Sequence, residues 1–514
     1  MQPSQAVNSA KSVRTQAESN GPSVWLAVAF LSAVALAIRL WCLACKAFWF
    51  DECFSVEISR ISWSNFLHLL WWREANMSLY YLVLRLWLHL GDGPFFIRSL
   101  SALIGAATVP AVYWLAQILY DRRVALIAAA LFAFNAYDVR YSQEARSYAL
   151  FVLLAATSTG FLVSWLREPT TRSRRAYIVF SILAVYAHFY ALLLIAVQWM
   201  AVRFKADVDD HISAGFRSAW ITIGIAVSPL LIFVAKTGAG PIKWIQRPGF
   251  RDLLQFFEHF SGSNHWELLA AVTVSCGLAV APFTKRLFQR KQGWEIWRCQ
   301  FLLMWLFLPI VLTVVLSFAR PVFLPRYMIF CLPPLVILAS AGISRLRRAW
   351  AVSTAVIAVL ILASQGILFV YAQDFDTERD ASGDATNFIL DHTRPGDAIL
   401  FHIAETRIPY EFFRSLRAGE NTASPKYKGQ LGPEILFPNH GPGLDYRDFT
   451  GKPTADFVRS AGAQYPRVWV VLMNNGPAAN PDPTTMMLTK VLPEIFPREQ
   501  QWDFSKAKVL LYKK

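Results

Sequence analysis

The stretch VWLAVAFLSAVALAIRLWCLACKAFWFDE, residues 24–52, decides the fold class of this chain. Residues 24–45 are apolar with Arg39 as their only charged residue, and a helix of about 20 apolar residues crosses a bilayer. This apolar part is longer than the core of a secretory signal, and no small-residue cleavage site follows it. We therefore predict an uncleaved membrane anchor, which an acid pair, Asp51 and Glu52, follows directly.

Apolar stretches of this kind recur to about residue 371 and predict an α-helical polytopic membrane protein with about eleven transmembrane helices. Across its 514 residues the chain is 55% hydrophobic and 17% charged, whereas soluble domains carry about 25% charged residues. This composition excludes a soluble enzyme, a disordered chain and a disulfide scaffold. The six cysteines fall mostly in or beside apolar stretches and are interpreted as small core residues.

The net charge of +15 could indicate a nucleic-acid partner, but the arrangement of the basic residues argues against one. Lys and Arg cluster at every second gap between apolar stretches, as they do in cytoplasmic loops of membrane proteins. The clusters therefore predict residues 1–22 as a disordered cytoplasmic lead, residues 46–94 as the first extracytoplasmic loop, and a bacterial inner membrane as the location. The basic clusters are Arg122-Arg123, Arg167 with Arg172, Arg174 and Arg175, Arg203 with Lys205, Lys285-Arg286 with Arg290-Lys291, and Arg345 with Arg347 and Arg348.

The composition changes after residue 371, where the chain becomes polar and proline-bearing. We expect a transmembrane domain over residues 23–371 and a small extracytoplasmic α/β domain over residues 372–514. Helical spacing is found in residues 380–392, and sequences typical of strands are AILFHI (398–403), RVWVVL (467–472) and KVLLY (508–512).

The acid pair Asp51 and Glu52 has two interpretations. Its carboxylates could be solvated loop acids beneath an aromatic belt at the membrane interface. One of them could instead be a general base whose pKa is tuned by partial burial. Downstream, SWSNFLHLLWW (residues 62–72) is strongly amphipathic and is expected to lie along the interface.

Four further polar residues lie at the predicted outer ends of apolar helices. Glu144 and Arg146, in YSQEARSY (residues 141–148), could form a structural clamp, or Arg146 could hold an anion. Arg326 follows Pro325 at the mouth of a helix, where it could bind a phosphate through paired hydrogen bonds or extend its charge to the interface. His188 could bind a metal, accept a proton or be a core histidine. The chain has no GxxxxGK[ST] loop, which disfavours an ATP-driven pump, and no HExxH helix, the zinc-binding motif of metalloproteases.

A series of motifs occurs in a fixed order over residues 24–370: FWFDE (48–52), LYYLVLRLW (79–87), IRSLSAL (97–103), YSQEARSYAL (141–150), YAHFYALL (186–193) and FLPRYMIFCLPPL (323–335). Together they resemble the GT-C glycosyltransferases. The resemblance is strongest to the bacterial family-39 type, which includes the lipid A aminoarabinose transferases and the protein O-mannosyltransferases. Members of the family typically introduce the tyrosine-bearing part of the first loop with a proline, where this chain has Asn76-Met77-Ser78.

The resemblance implies an inverting transfer of one sugar from a polyprenyl-phosphate donor to an acceptor at the extracytoplasmic face. It implies that Asp51 is the base, with Glu52 as helper or metal ligand. Arg146 and Arg326 would bind the donor phosphate, and Glu144 would orient Arg146. His188 would contact the acceptor or a metal, so that a divalent cation is an open question. The acceptor would be a lipid, glycan or protein of the cell envelope.

Three other classes of membrane protein remain as alternatives. A structural or interaction protein would act through the outer α/β domain and would not need Asp51 and Glu52 at the mouth of a membrane helix. An O-antigen polymerase or ligase also uses a lipid-linked donor, but it would place its arginines in a large late outer loop, whereas the longest outer loop here is the first. A lipid or polysaccharide transporter would distribute polar residues through the membrane midplane. In this sequence they gather at the predicted outer ends of the helices.

Overall fold

The structure is a computed structural model that describes residues 22–205, 210–237, 245–288, 293–372, 381–419, 432–441, 443–473 and 482–514. The predicted cytoplasmic lead lies outside the described residues except for Pro22. The helices before the C-terminal region are α1 (Pro22–Leu40), α2 (Phe50–Arg60), α3 (Trp63–Trp72), α4 (Ser78–Trp87), α5 (Pro94–Leu119), α6 (Arg122–Ala133), α7 (Ala136–Ser142), α8 (Tyr148–Arg167), α9 (Thr171–Ala187), α10 (Ala191–Arg203), α11 (Asp210–Thr237), α12 (Phe250–Ser261), α13 (Trp266–Phe288), α14 (Trp294–Ala319), a 3₁₀ helix (Pro325–Cys331), α15 (Leu332–Ile343) and α16 (Ala349–Ala372).

The prediction of a polytopic helical membrane protein is confirmed. Within the described part of the chain, eight helices are long and apolar enough to cross a membrane, or nine if the bent pair α6 and α7 forms one span. The predicted number of about eleven is higher because it also counts α9 and α10. Helix α10 has 13 residues and extends about 20 Å, less than the ~30 Å hydrocarbon core of a bilayer.

Burial separates the inner spans from the outer ones. The most apolar 18-residue stretches of α8 and of Pro325–Ile343 are 78% and 83% buried inside the protein, whereas those of α1 and α16 are each 22% buried. The inner helices approach closely where side chains are small: a Cβ atom at Gly160 of α8 would lie 2.2 Å from the Trp114 ring of α5. The outer helices leave most of their apolar surface for lipid.

The segment predicted as the first outer loop, residues 46–94, contains three short helices, α2, α3 and α4. Ser62 caps α3 by accepting a hydrogen bond from the Asn65 amide at 3.3 Å. Phe66 of α3 is buried, whereas Trp71 and Trp72 are exposed, which is the two-faced pattern that predicted a helix lying along the interface. Met77, within the segment that replaces the usual proline, has φ 66° and turns the chain sharply into α4.

The C-terminal region forms a five-stranded sheet flanked by helices, as predicted. The strands are β1 (Asp397–Phe401), β2 (Glu434–Phe437), β3 (Arg467–Met473), β4 (Arg498–Phe504) and β5 (Ala507–Lys513). Their order in the sheet is β2-β1-β3-β5-β4, with β2, β1 and β3 parallel and β3, β5 and β4 antiparallel. Sequence patterns predicted the central strands β1, β3 and β5 but missed the edge strands β2 and β4, because β2 has four residues and β4 is polar and mostly exposed. The α-helices of this region are α17 (Ser382–His392), α18 (Arg407–Ala418), α19 (Ala455–Gly462) and α20 (Pro483–Ile495).

This sheet domain packs against the first outer loop. Phe412 of α18 stacks on Phe48 with ring centroids 4.6 Å apart. Phe449 meets the ring of Phe54 edge-on at 5.4 Å. The domain therefore supports α2, the helix that begins with the acid pair.

The interpretation of all six cysteines as core residues is wrong for Cys42 and Cys45. These two residues form a disulfide across a separation of three positions, in the turn that follows α1. The separation is short enough for the two Cα atoms to lie 5.1 Å apart, within the range that a disulfide requires. Cys53, Cys276, Cys299 and Cys331 lie outside the disulfide, and all but Cys276 are buried.

Candidate active site

Asp51 lies between two arginines that come from distant parts of the chain. Its Oδ2 atom is 3.8 Å from Nη2 of Arg146 and 3.4 Å from Nη2 of Arg326. The side chains of these residues are 20%, 10% and 19% exposed, respectively. All three are thus largely screened from solvent, yet each remains open to a ligand.

Local structure explains why Asp51 lies at this point. It occupies the first turn of α2 together with Glu52, where the helix dipole favours negative charge. The Trp49 amide donates to Oε2 of Glu52 at 3.4 Å, so that Glu52 caps the helix start. Asp51 is left to face Arg146 and Arg326.

Glu52 is fully buried and binds Arg98 of α5 through both carboxylate oxygens. Nε of Arg98 donates to Oε1 at 2.7 Å, and Nη2 donates to Oε2 at 2.6 Å. The Ala145 amide also donates to Oε1, at 2.9 Å. Glu52 therefore joins α2, α5 and the loop of Arg146, and these contacts favour a positioning role over the predicted role of helper or metal ligand.

Arg98 also holds the turn after α1 in place through hydrogen bonds. Its guanidinium donates to the carbonyl oxygens of Leu43, Lys46 and Ala47 at 2.8–2.9 Å. Sequence reasoning did not select Arg98 as a site residue. Its position in an apolar helix was the available signal, because charges at such places are rare and paired.

The loop between α7 and α8 holds Arg146 beside Asp51. Nη1 of Arg146 donates to the Asp51 carbonyl and to Oγ of Ser55, both at 3.3 Å. Gln143 anchors the same loop by donating to the carbonyls of Arg39 and Trp41 at 3.0 and 3.1 Å. Glu144 is buried in this loop and acts electrostatically on Arg98, while its predicted role in orienting Arg146 stays a prediction.

His188 lies at the junction of α9 and α10, stacked on Phe151 with ring centroids 5.0 Å apart. Its Nδ1 accepts a hydrogen bond from the Tyr190 amide at 3.2 Å. Burial, together with the nearby charges of Arg146 and Arg326, lowers the pKa of His188 to about 3. The imidazole is therefore neutral at physiological pH and lies beside the arginine pair.

Several buried polar atoms around this cluster find no hydrogen-bond partner among the described residues. They include Nε2 of His188 and the hydroxyl oxygens of Tyr81 and Tyr148. Leaving such a group unpaired costs about 1–3 kcal/mol, and buried polar groups are otherwise almost always paired. These atoms are therefore candidates for contact with a bound ligand.

Glu74 is a second carboxylate near Asp51 that sequence reasoning missed. It follows α3 in the first outer loop, and burial raises its pKa to about 7, opposed by Arg146 and assisted by Asp51. Its sequence surroundings, Arg73-Glu74-Ala75, resemble an ordinary charged loop. Only the fold brings Glu74 close to Asp51 and Arg146.

A metal site is not evident in the part of the chain that the structure describes. No group of three or more His, Cys, Asp or Glu side chains there is arranged to hold an ion.

The overall fold has known relatives among solved structures. The structure of ArnT from Cupriavidus metallidurans in the apo state matches over 94% of this chain and 97% of the ArnT chain, with a TM-score of 0.59 and 13% sequence identity. ArnT is a lipid A aminoarabinose transferase. The same protein bound to undecaprenyl phosphate matches over 96% and 98% of the two chains, with a TM-score of 0.54 and 13% identity. The chain has the GT-C fold.

A more distant structure has the same GT-C fold. The apo oligosaccharyltransferase of Archaeoglobus fulgidus matches with a TM-score of 0.51 and 11% identity, over 76% of this chain and 63% of its own. No protein-family model and no curated protein matches the chain. At these identities the likeness establishes the fold, and it confirms the resemblance to GT-C proteins that the motifs predicted.

Proposed function

We propose that this protein is an inverting glycosyltransferase that moves one sugar from a polyprenyl-phosphate donor to a cell-envelope acceptor at the extracytoplasmic face. The observation that carries the proposal is the position of Asp51 between Arg146 and Arg326. One carboxylate and two guanidinium groups, brought together from three distant segments, supply both a base and a phosphate-binding site.

The charge of this cluster suits a phosphate. Two arginines and one aspartate leave a net charge of +1, while Glu52 is neutralised by Arg98. Guanidinium groups bind phosphate oxygens through paired hydrogen bonds, and they would stabilise the charge that grows on the phosphate as it leaves the sugar. Because phosphate is already a good leaving group, the reaction needs no strong general acid.

Asp51 is assigned to remove the proton from the acceptor hydroxyl. Its contacts with the two arginines, at 3.4 and 3.8 Å, are longer than the ~2.7–2.9 Å of a strong charge-assisted hydrogen bond. An incoming phosphate would compete for the guanidinium groups and free the carboxylate. Inversion requires the hydroxyl and the phosphate on opposite faces of the sugar ring, so the arginines must turn towards the phosphate and away from Asp51 when the donor binds.

The structural relatives support this assignment of the donor class. ArnT was solved with undecaprenyl phosphate. The A. fulgidus oligosaccharyltransferase AglB was solved with an inhibitory peptide and a dolichol-phosphate, and matches with a TM-score of 0.50 and 10% identity. Carriers of this class place a long apolar chain in the bilayer and a phosphate at its surface, the depth at which we propose Asp51 to lie.

The topology that accompanies the proposal is the one expected from the charge distribution. Residues 23–371 would form the catalytic membrane domain in a bacterial inner membrane, and residues 372–514 an extracytoplasmic domain above the site. The bilayer and a lipid, glycan or protein acceptor would be the partners.

The test compares cells that lack the gene with cells that carry the wild-type chain, the Asp51→Asn variant or the Glu267→Gln variant. Glu267 is an exposed acid on α13 and serves as the matched control. Intact-mass spectrometry of glycolipids and envelope glycans should identify a product that lacks one sugar without the gene. We expect Glu267→Gln to restore this product and Asp51→Asn to fail at an equal protein level in the membrane. Full restoration by Asp51→Asn would overturn the assignment of the base.

A further inference from the structure

A surface cavity lies between α6 and α16, away from the candidate active site. Its volume is about 670 Å³, and its walls are the apolar side chains of Leu126, Ile127, Val352, Val356 and Ile357, together with Ser353. Arg122 and Arg123 complete the lining, and both side chains are exposed. The cavity therefore joins an apolar wall to a pair of cations.

The cavity lies at the opposite end of the membrane region from Asp51. Helix α5 begins near the acid pair, where Arg98 binds Glu52, and has 26 residues, which extend about 39 Å. Arg122 follows the far end of this helix. By the enrichment of basic residues in cytoplasmic loops, this end is cytoplasmic.

Additional charges near the cavity are mainly positive. Arg347 and Arg348 are exposed immediately before α16, which forms one wall of the cavity. Asp121 is the nearby acid, and its carboxylate caps α6 by accepting a hydrogen bond from the Val124 amide at 3.0 Å. Trp350, 64% exposed, has the guanidinium of Arg348 6.0 Å from its ring, and exposed tryptophans mark the depth of the lipid headgroups.

We propose that this cavity binds an anionic phospholipid of the cytoplasmic leaflet. Arg122 and Arg123 bind its phosphate, and one acyl chain lies along the wall formed by Leu126, Val352 and Val356. An anionic headgroup such as glycerol phosphate matches the surplus of positive charge. A zwitterionic headgroup brings an ammonium group that the arginines repel, so phosphatidylglycerol binds in preference to phosphatidylethanolamine.

The test measures lipid retention by the full-length protein in detergent. Delipidated protein is titrated with phosphatidylglycerol or phosphatidylethanolamine, and native mass spectrometry counts the bound lipids. We expect one phosphatidylglycerol to bind tightly. Replacing Arg122 and Arg123 together by Gln should weaken that binding about tenfold, the loss typical of one charge-assisted hydrogen bond, and should abolish the preference over phosphatidylethanolamine.

Two further variants separate a built site from general attraction to a charged surface. The control replaces Arg172 and Arg175, an exposed basic pair on α9, by Gln and should leave binding unchanged. Ser353→Trp fills the cavity without changing charge and should prevent binding of the acyl chain. Equal losses in the control and the Arg122/Arg123 variant, no preference for phosphatidylglycerol in the wild type, or occupation of this face by a second copy of the chain would each overturn the proposal.

Discussion

Glu52 and Asp51 are neighbours in the sequence but differ in what surrounds them. Glu52 is completely buried and paired with Arg98, whereas the Asp51 side chain is 20% exposed and shared between two arginines at longer distances. Because burying a carboxylate is favourable only with close and complete pairing, Glu52 must stay bound to Arg98 for the fold to be stable. Asp51 is less tightly paired and can therefore accept a proton, as the proposed base must.

Glu74 gives the site a pH dependence that can be measured. Its pKa of about 7 means that it is mostly neutral at pH 6 and mostly ionised at pH 8. Ionisation adds a negative charge close to Asp51 and Arg146, and the proposed donor, a phosphodiester, keeps its own negative charge throughout this range. We therefore expect KM for the donor to rise about fivefold from pH 6 to pH 8, the factor for roughly 1 kcal/mol of screened repulsion.

The measurement is a set of KM values for the donor in wild type, Glu74→Gln and the control Glu267→Gln. The Gln variant at position 74 should show a flat profile, and the control should follow the wild type. The stability of the fold should also decrease as pH rises: the folded state retains the Glu74 proton above pH 4.5, so the free energy of unfolding falls as pH rises towards 7. A wild-type slope that persists in Glu74→Gln would exclude Glu74 as its source.

Single residues differ in how far sequence alone could identify them. Asp51, Arg146, Arg326 and His188 were selected because polar groups at the ends of apolar helices are uncommon, and the structure brings these four together. Tyr81 and Glu74 could not be selected, since a tyrosine or glutamate in an outer loop is ordinary. Their importance comes from burial, which depends on how α4 and the end of α3 pack.

At the scale of elements, the break between α6 and α7 shortly precedes the loop that carries Arg146. The two helices meet at 57°, and the buried ion pair of Arg39 with Asp138, at 2.6 Å, ties this break to α1. Ser142 at the end of α7 also donates to Asp138, at 3.1 Å. The apolar pattern predicted a helix here but not the bend, beside which a pair of charges 99 positions apart in the chain meets.

Gly105 of α5 allows these elements to approach one another. A Cβ atom at this position would lie 2.3 Å from Oγ of Ser142 and 2.9 Å from Nε of Arg39. Gly105→Ala should therefore destabilise the protein by about 1–3 kcal/mol, the usual cost of overpacking, and displace the loop of Arg146. Thermal unfolding in detergent and donor binding would both report the change.

Gly224 of α11 provides the matched control, because a Cβ atom there meets no other atom within 4 Å. Gly224→Ala should leave stability unchanged or raise it by up to ~1 kcal/mol, since alanine is the better helix former. If both substitutions had the same effect, close packing at Gly105 would not be what positions the loop.

At the scale of the whole molecule, the membrane part and the sheet domain share one packed interface around α2. The change in composition near residue 371 predicted the boundary between the two parts. The spacing of apolar residues predicted the helices before this boundary and the central strands after it. The interface could not be predicted, because the local sequence around each of its phenylalanines gives no sign of a distant partner. These residues are Phe48, Phe54, Phe412 and Phe449. Their contact requires both domains to be folded.

Phe412→Ala tests whether this interface holds the acid pair in place. Phe412 is completely buried, stacks on Phe48 and lies beneath the guanidinium of Arg60 at 5.4 Å, so its loss removes packing from both ends of α2. Truncating a buried phenylalanine costs about 3–5 kcal/mol. We expect faster hydrogen exchange of the α2 amides and reduced sugar transfer, with the amides of β1, β3 and β5 still protected.

The control for Phe412→Ala is Phe496→Ala, which removes a ring of similar burial from the sheet domain's own core, where it packs near Tyr512. Here exchange should rise in the sheet and change less in α2, because the lost contacts lie on the far side of the domain. Such opposite patterns would mean that the sheet domain acts on the site through α18 and the Phe48–Phe412 stack. Unchanged exchange of α2 in Phe412→Ala would instead mean that Arg98 and Glu52 alone are sufficient to fix the position of Asp51.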